Sequence, residues 1–137
     1  MLNVVLDTNI YISSIFWKGN PHKIVELALD KKIRVFTSFE ILQELEKVLR
    51  RDFQESDEMI HRQISLIFEY ADVIKTNVKL EVVKADPEDN KIIECAVSCS
   101  ADYIVTGDKH LLDLVEYKGV KIVSPRRFIE IRKKDRG

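Results

Sequence analysis

Two cysteines, three prolines, four glycines and one tryptophan are all this chain has of the residues that mark specialised small folds. Cys95 and Cys99 lie four apart in a segment of helical period, with no histidine nearby. They offer neither a zinc ligand set nor a disulfide framework, and they read as small packing residues. No stretch is rich enough in Pro, Gly or Ser to serve as a linker, and no repeat is present. No run of about 20 uncharged apolar residues exists, and no basic start leads into a long apolar stretch, so membrane insertion and secretion are unsupported and a cytoplasmic protein is expected. A Walker-type glycine loop is also missing, which removes the usual cradle for nucleotide phosphates. Net charge is only −1. It is unevenly spread: residues 126–137 hold six Lys/Arg against Glu130 and Asp135, a local +4 that leaves −5 for the rest.

What is present suits one packed domain over residues 1–137. The chain is 137 residues long and 45% hydrophobic, enough to bury a core without cross-links. Strand-type apolar runs fall at 2–6, 33–37, 73–75, 103–106 and 120–123. Between them the apolar spacing predicts helices at about 9–16, 21–31, 39–51, 56–71, 87–99, 109–116 and 125–134. Helices alternating with short apolar strands imply a parallel sheet with right-handed crossovers, covered on both faces. The expected fold is α/β, a three-layer α/β/α sandwich with a central parallel sheet.

In such a sheet every strand's carboxyl end opens on the same side, and ligands collect there. Asp7 directly follows the first apolar run, where an acid costs desolvation unless something compensates it. Asp108 follows the fourth strand in Thr106-Gly107-Asp108, where Gly107 is expected to permit a tight exit and where Asp108 has an alternative use as a helix N-cap. In Asp86-Pro87-Glu88-Asp89, Asp86 reads as an N-cap with Pro87 at the first helical position. Asp89, however, falls on the apolar face made by Ile92, Ile93, Ala96 and Val97, so it needs a partner. Glu44 and Glu46 stand at opposite margins of the stripe Ile41, Leu45, Val48 and Leu49, and periodicity does not separate them. Strand-edge proximity slightly favours Glu44. Carboxylates gathered this closely repel unless a divalent ion neutralises them, and oxygen ligands alone select a hard cation, Mg²⁺ or Mn²⁺.

Val5-Leu6-Asp7-Thr8-Asn9, Ser38 followed by Glu44-Leu45, Asp89-Asn90-Lys91-Ile92-Ile93 and Thr106-Gly107-Asp108 together resemble the PIN-domain family, across nearly the whole chain. Within it the chain looks most similar to prokaryotic single-domain members related to VapC-type toxins. The resemblance implies that Asp7, Glu44, Asp89 and Asp108 form an acidic metal site, choosing Glu44 over Glu46, with Thr8, Asn9 and Thr106 as supporting polar residues. It further implies a Mg²⁺- or Mn²⁺-dependent ribonuclease that often dimerises and is inhibited by a cognate antitoxin.

RNA is then expected to be held by Lys18, Arg50, Arg51 and Lys109 around the acidic mouth. Phe16 and Trp17 are available for base stacking or for packing. The basic end reads either as a solvated helix terminus or as an RNA contact. Two alternatives stand beside this reading. One is a haloacid-dehalogenase-type phosphatase, against which neutral Asn9 argues because it cannot transfer a proton. The other is a non-catalytic module of the same fold that binds RNA or protein.

Overall fold

The computed structural model describes residues 1–83 and 86–135. Along them run β1 (Asn3–Leu6), α1 (Thr8–Phe16), α2 (Asn20–Leu29), β2 (Arg34–Ser38), α3 (Phe39–Arg51), α4 (Asp57–Tyr70), β3 (Ala71–Ile74), α5 (Asp89–Ser98), β4 (Tyr103–Val105), α6 (Lys109–Leu112), β5 (Glu116–Tyr117), β6 (Val120–Val123) and α7 (Pro125–Asp135). The strands form one sheet in the order β3-β2-β1-β4-β6-β5, parallel except at the β5 edge. The molecule is the expected three-layer α/β/α sandwich.

Central strands carry continuous apolar side chains because helices cover both of their faces. Val4, Val5, Leu6, Ile104 and Val105 have no exposed surface. Around the sheet, α3 shows how the sequence builds each covering helix. Ile41, Leu42, Leu45 and Leu49 recur at helical spacing and are buried, and the Ser38 hydroxyl caps the helix by accepting from the Ile41 amide at 3.3 Å. No helix among the described residues is long and apolar enough to cross a membrane.

Two expectations about the elements are corrected. The strand expected at 73–75 occupies Ala71–Ile74, and α4 stops at Tyr70 to make room for it. The helix expected to run through residue 116 ends at Leu112. Val115 adopts a left-handed φ of 64°, and the chain then enters β5, which pairs antiparallel with β6 through Glu116↔Lys121 and Tyr117↔Val120. Lys118 and Gly119 turn the hairpin with φ of 48° and 84°. Two successive positive φ values match the twist of a two-residue hairpin, and glycine accepts the second at no steric cost.

The strand order also sets where a site belongs. From β1 the chain winds outward to β2 and β3, then crosses back so that β4 pairs on the other side of β1 and leads to β6. The gap beyond the carboxyl ends of β1 and β4 is therefore the switch point, where connections leave in opposite directions and open a crevice. Register brings Leu6 level with Val105, so the next residues of both strands, Asp7 and Thr106, emerge side by side. The Asp7 amide donates to the Val105 carbonyl at 3.0 Å and the Thr106 amide to that of Val123 at 3.0 Å.

The segment ahead of α5 is held to that helix by two buried side chains that the sequence reading passed over. Asn90 accepts from the amides of Val82 and Val83 at 3.0 and 2.8 Å and donates to the Val83 carbonyl at 3.1 Å. Glu94 accepts from the Leu80 amide at 2.8 Å. A stretch with no ladder partners of its own thereby satisfies its backbone, and the start of α5 is fixed over the crevice.

Candidate metal centre

Asp7 is 7% exposed and caps α1, accepting from the Thr8 amide at 2.7 Å through one carboxyl oxygen and from the Thr106 hydroxyl at 2.6 Å through the other. The same Thr106 hydroxyl accepts from the Asp108 amide at 2.9 Å. One buried hydroxyl therefore couples the two acids across the switch point. This bond, rather than glycine geometry, makes the tight exit from β4: Gly107 has no left-handed φ, and a Cβ there meets only the Asn9 side chain at 3.9 Å. Thr8 contributes its backbone amide, and exposed Asn9 lies beside Gly107.

Thr106→Val keeps the shape and removes the hydroxyl, leaving a buried carboxylate oxygen without its donor. The expected cost is about 2 kcal/mol at pH 8, read from urea unfolding. Thr106→Ser retains the donor and loses one methyl, for a cost of about 1 kcal/mol. A Thr106→Val variant as stable as wild type, with the loss confined to Thr106→Ser, would show that the methyl packing, not the hydrogen bond, matters.

Asp108 caps α6, accepting from the His110 amide at 2.7 Å and from the Leu111 amide at 3.4 Å. The capping role expected of it is real, and it does not exclude a second one. One oxygen each of Asp86, Asp89 and Asp108 lie within 4.8 Å of one another. Asp89 is 6% exposed, and its Oδ2 has no hydrogen-bond partner. Burial, then the charges of Asp108, Asp7, Asp86 and Glu88, push its carboxyl up to about 7. Asp7 is also raised, first by burial, with the Thr106 and Thr8 bonds opposing and Asp108 and Asp86 adding to it.

Of the sequence candidates, the fold thus gathers Asp89 and Asp108 with Asp7 facing them. Asp86, read from sequence only as a cap, joins the group. It is not the helix cap that the sequence suggests: α5 begins at Asp89 with Glu88 at the N-cap position, Pro87 lies in the preceding turn, and Asp86 Oδ1 braces that turn by accepting from the Glu88 amide at 3.1 Å. Glu44 lies outside the three-acid group and stands beside Glu88, whose carboxyl is held below its usual range by Lys91 first and by Glu44 among lesser causes. Glu46, the other margin of that stripe, is turned to Arg50 at 3.1 Å.

The residues expected around RNA fare unevenly. Lys18 and Lys109 are exposed. Arg50 bridges Glu46 at 3.1 Å and Asp57 at 2.7 Å, and Arg51 pairs with Asp52 at 2.8 Å, so both guanidiniums already have acidic partners. Phe16 stacks on Phe53 with ring centroids 4.7 Å apart, while Trp17 is 60% exposed. In the basic end, α7 begins where β6 leaves the sheet, and Arg132, Lys133 and Lys134 fall about 10–13 Å along that helix from its start. Arg126 and Arg127 near its start both pair with Glu130, and Arg136 lies outside the described residues.

The donor set is all oxygen, and it holds a buried carboxylate oxygen that no hydrogen-bond donor reaches. Those are the features a hard divalent cation satisfies, so the residues present fit such an ion. An open α/β sheet with converging carboxylates at its switch point defines the class: an acidic-centre α/β domain. A PIN domain profile matches residues 3–110, and the chain belongs to the PIN-domain family. It is 32% identical, over 142 aligned positions, to the uncharacterized protein MJ1680 of Methanocaldococcus jannaschii, with 94% of this chain and 90% of that protein covered. The fold is also similar to that of a chain in the crystal structure of VapBC2 from Rickettsia felis bound to a DNA fragment from their promoter. There the TM-score is 0.66 at 16% identity, with 90% of this chain and 98% of that chain covered.

Proposed function

We propose that this protein is a Mg²⁺- or Mn²⁺-dependent endoribonuclease, a VapC-like toxin held in check by a cognate antitoxin and acting as a homodimer or higher homo-oligomer in the cytoplasm. The observation that carries the reading is the unpartnered, buried Oδ2 of Asp89 among Asp86, Asp108 and Asp7. Membership of the PIN-domain family, whose members are generally nucleases, supports hydrolysis of a phosphodiester and leaves the phosphatase alternative without support. The antitoxin partner is suggested by the Rickettsia felis VapBC2 complex, and the RNA substrate by the VapC-type resemblance.

In this reading Asp7, Asp89 and Asp108 hold the cation, directly or through water, and Glu44 belongs to the outer part of the shell. When bound, a divalent ion neutralises the carboxylates, polarises the scissile phosphate and lowers the pKa of water. Thr106 ties the Asp7 carboxylate to the Asp108 loop, which holds the two acids at one edge of the sheet. Lys18 and Lys109, which have no ion-pair partner among the described residues, are better placed to meet RNA than Arg50 and Arg51.

The test is cleavage of single-stranded and structured RNA with Mn²⁺ or Mg²⁺, repeated with Asp7→Asn. Expected are products with 5′ phosphates, loss of cleavage in EDTA, and loss in the variant by about 100-fold or more. Cleavage that persists in EDTA, or at the wild-type rate in Asp7→Asn, would sink the proposal.

A further inference from the structure

Resting on the reading that this centre takes a divalent cation, we infer that Asp86 is one of its metal ligands. Asp86 then joins Asp7, Asp89 and Asp108 around the ion, and Glu44 stands farther out. The turn Asp86-Pro87-Glu88-Asp89 makes this possible. Proline disfavours helical backbone at the residue before it, so Asp86 sits outside the helix, while the Asp89 amide reaches back to the Asp86 carbonyl at 3.1 Å and closes the turn. Both carboxylates are thereby delivered to the same side, toward Asp108 from the far wall of the crevice.

Bracing the turn does not exhaust Asp86. Its Oδ1 takes the Glu88 amide at 3.1 Å, and its second oxygen has no hydrogen bond among the described residues. The neighbouring Asp89 Oδ2 is buried and has no hydrogen-bond partner. A buried oxygen without a donor and the half-buried Asp86 carboxylate therefore stand in a group of three acids whose ligand atoms are mutually within 4.8 Å. Around one octahedral ion with bonds of about 2.1 Å, oxygens lie about 3.0 Å apart in cis and about 4.2 Å in trans. Small side-chain rotations close that difference. Glu44 is not part of the group and faces Glu88 instead.

The experiment uses the full chain and Mn²⁺ alone, following the free-ion paramagnetic resonance signal in a titration and the melting temperature in parallel. Asp86→Asn is the discriminating variant, because the asparagine carbonyl still accepts from the Glu88 amide and only the charge is lost. The expected result is a Mn²⁺ dissociation constant raised about tenfold or more in Asp86→Asn and in Asp89→Asn, with metal-free melting temperatures no lower than wild type. Glu46→Gln, whose carboxylate is turned to Arg50 and takes no part in the centre, is expected to stay within about twofold of wild type. Asp86→Asn titrating like wild type, or Glu46→Gln losing as much affinity as Asp86→Asn, would overturn the assignment. Wild-type protein that takes up no Mn²⁺ would overturn the metal centre and this assignment together. Wild-type protein that binds Mn²⁺ with the expected ranking of variants but leaves RNA intact would support the ligand assignment and refute the ribonuclease.

Discussion

Asp89→Asn is expected to make the metal-free protein more stable at pH 8 while abolishing RNA cleavage. The side chain is buried without a partner for Oδ2 and faces Asp108, Asp7 and Asp86, so its ionised form is held at a cost. An amide of the same shape removes that charge. The gain is expected to be about 2 kcal/mol, discounted from the full shift because water reaches the mouth of the cluster. For a chain of this size that is about 6 °C in melting temperature.

The sign with pH follows from a folded pKa of about 7 against an ordinary value of 3.8. Between those values the folded protein binds a proton that the unfolded chain has released, so stability falls as pH rises toward and through about 7. Metal-free wild-type protein should accordingly lose stability from pH 5.5 to pH 8, and Asp89→Asn should be nearly flat over the same window. Calorimetry at the two pH values checks it. A variant that melts lower than wild type at pH 8 would mean that the carboxylate makes a stabilising contact.

Manganese or magnesium reverses this balance. An ion that binds the native cluster and not the unfolded chain stabilises by about 2.7 kcal/mol at a hundred times its dissociation constant, or about 8 °C here. Because the ion needs the carboxylates ionised, the shift should be larger at pH 8 than at pH 5.5, opposite to the metal-free trend. Calcium should also raise the melting temperature yet support little cleavage, since its longer bonds and higher coordination number do not reproduce a compact octahedral site. The absence of any shift with millimolar Mn²⁺ or Mg²⁺ at pH 8 would count decisively against a metal centre. A calcium form as active as the manganese form would count against the octahedral site.

Which parts of this were legible in the chain depends on how local the physics is. The apolar runs and their separating helices specify an α/β sandwich because burial on both faces of a strand and on one face of a helix leave different periods in the sequence. Asp7 and Asp108 were findable because each follows a buried strand, and Asp89 because it interrupts an apolar helical face. The β5 hairpin was missed although Lys118-Gly119 carries a turn signal, since two residues of edge strand generate no period of their own.

Sequence by itself thus determined the layered fold and pointed to three of the acids, Asp7 and Asp89 through a conflict between charge and burial and Asp108 through its place after a strand. Tertiary structure alone decided what depends on strand order and on through-space distance. It set β4 beside β1, aligned Thr106 with Asp7 so that one hydroxyl joins two acids, and gave Arg50 and Arg51 acidic partners. It also turned Asp86, locally indistinguishable from an ordinary helix cap, toward Asp89 and Asp108. The bond that braces the turn occupies only one carboxylate oxygen, and where the other one points is set by how the helix docks on the sheet, which no local pattern of residues encodes.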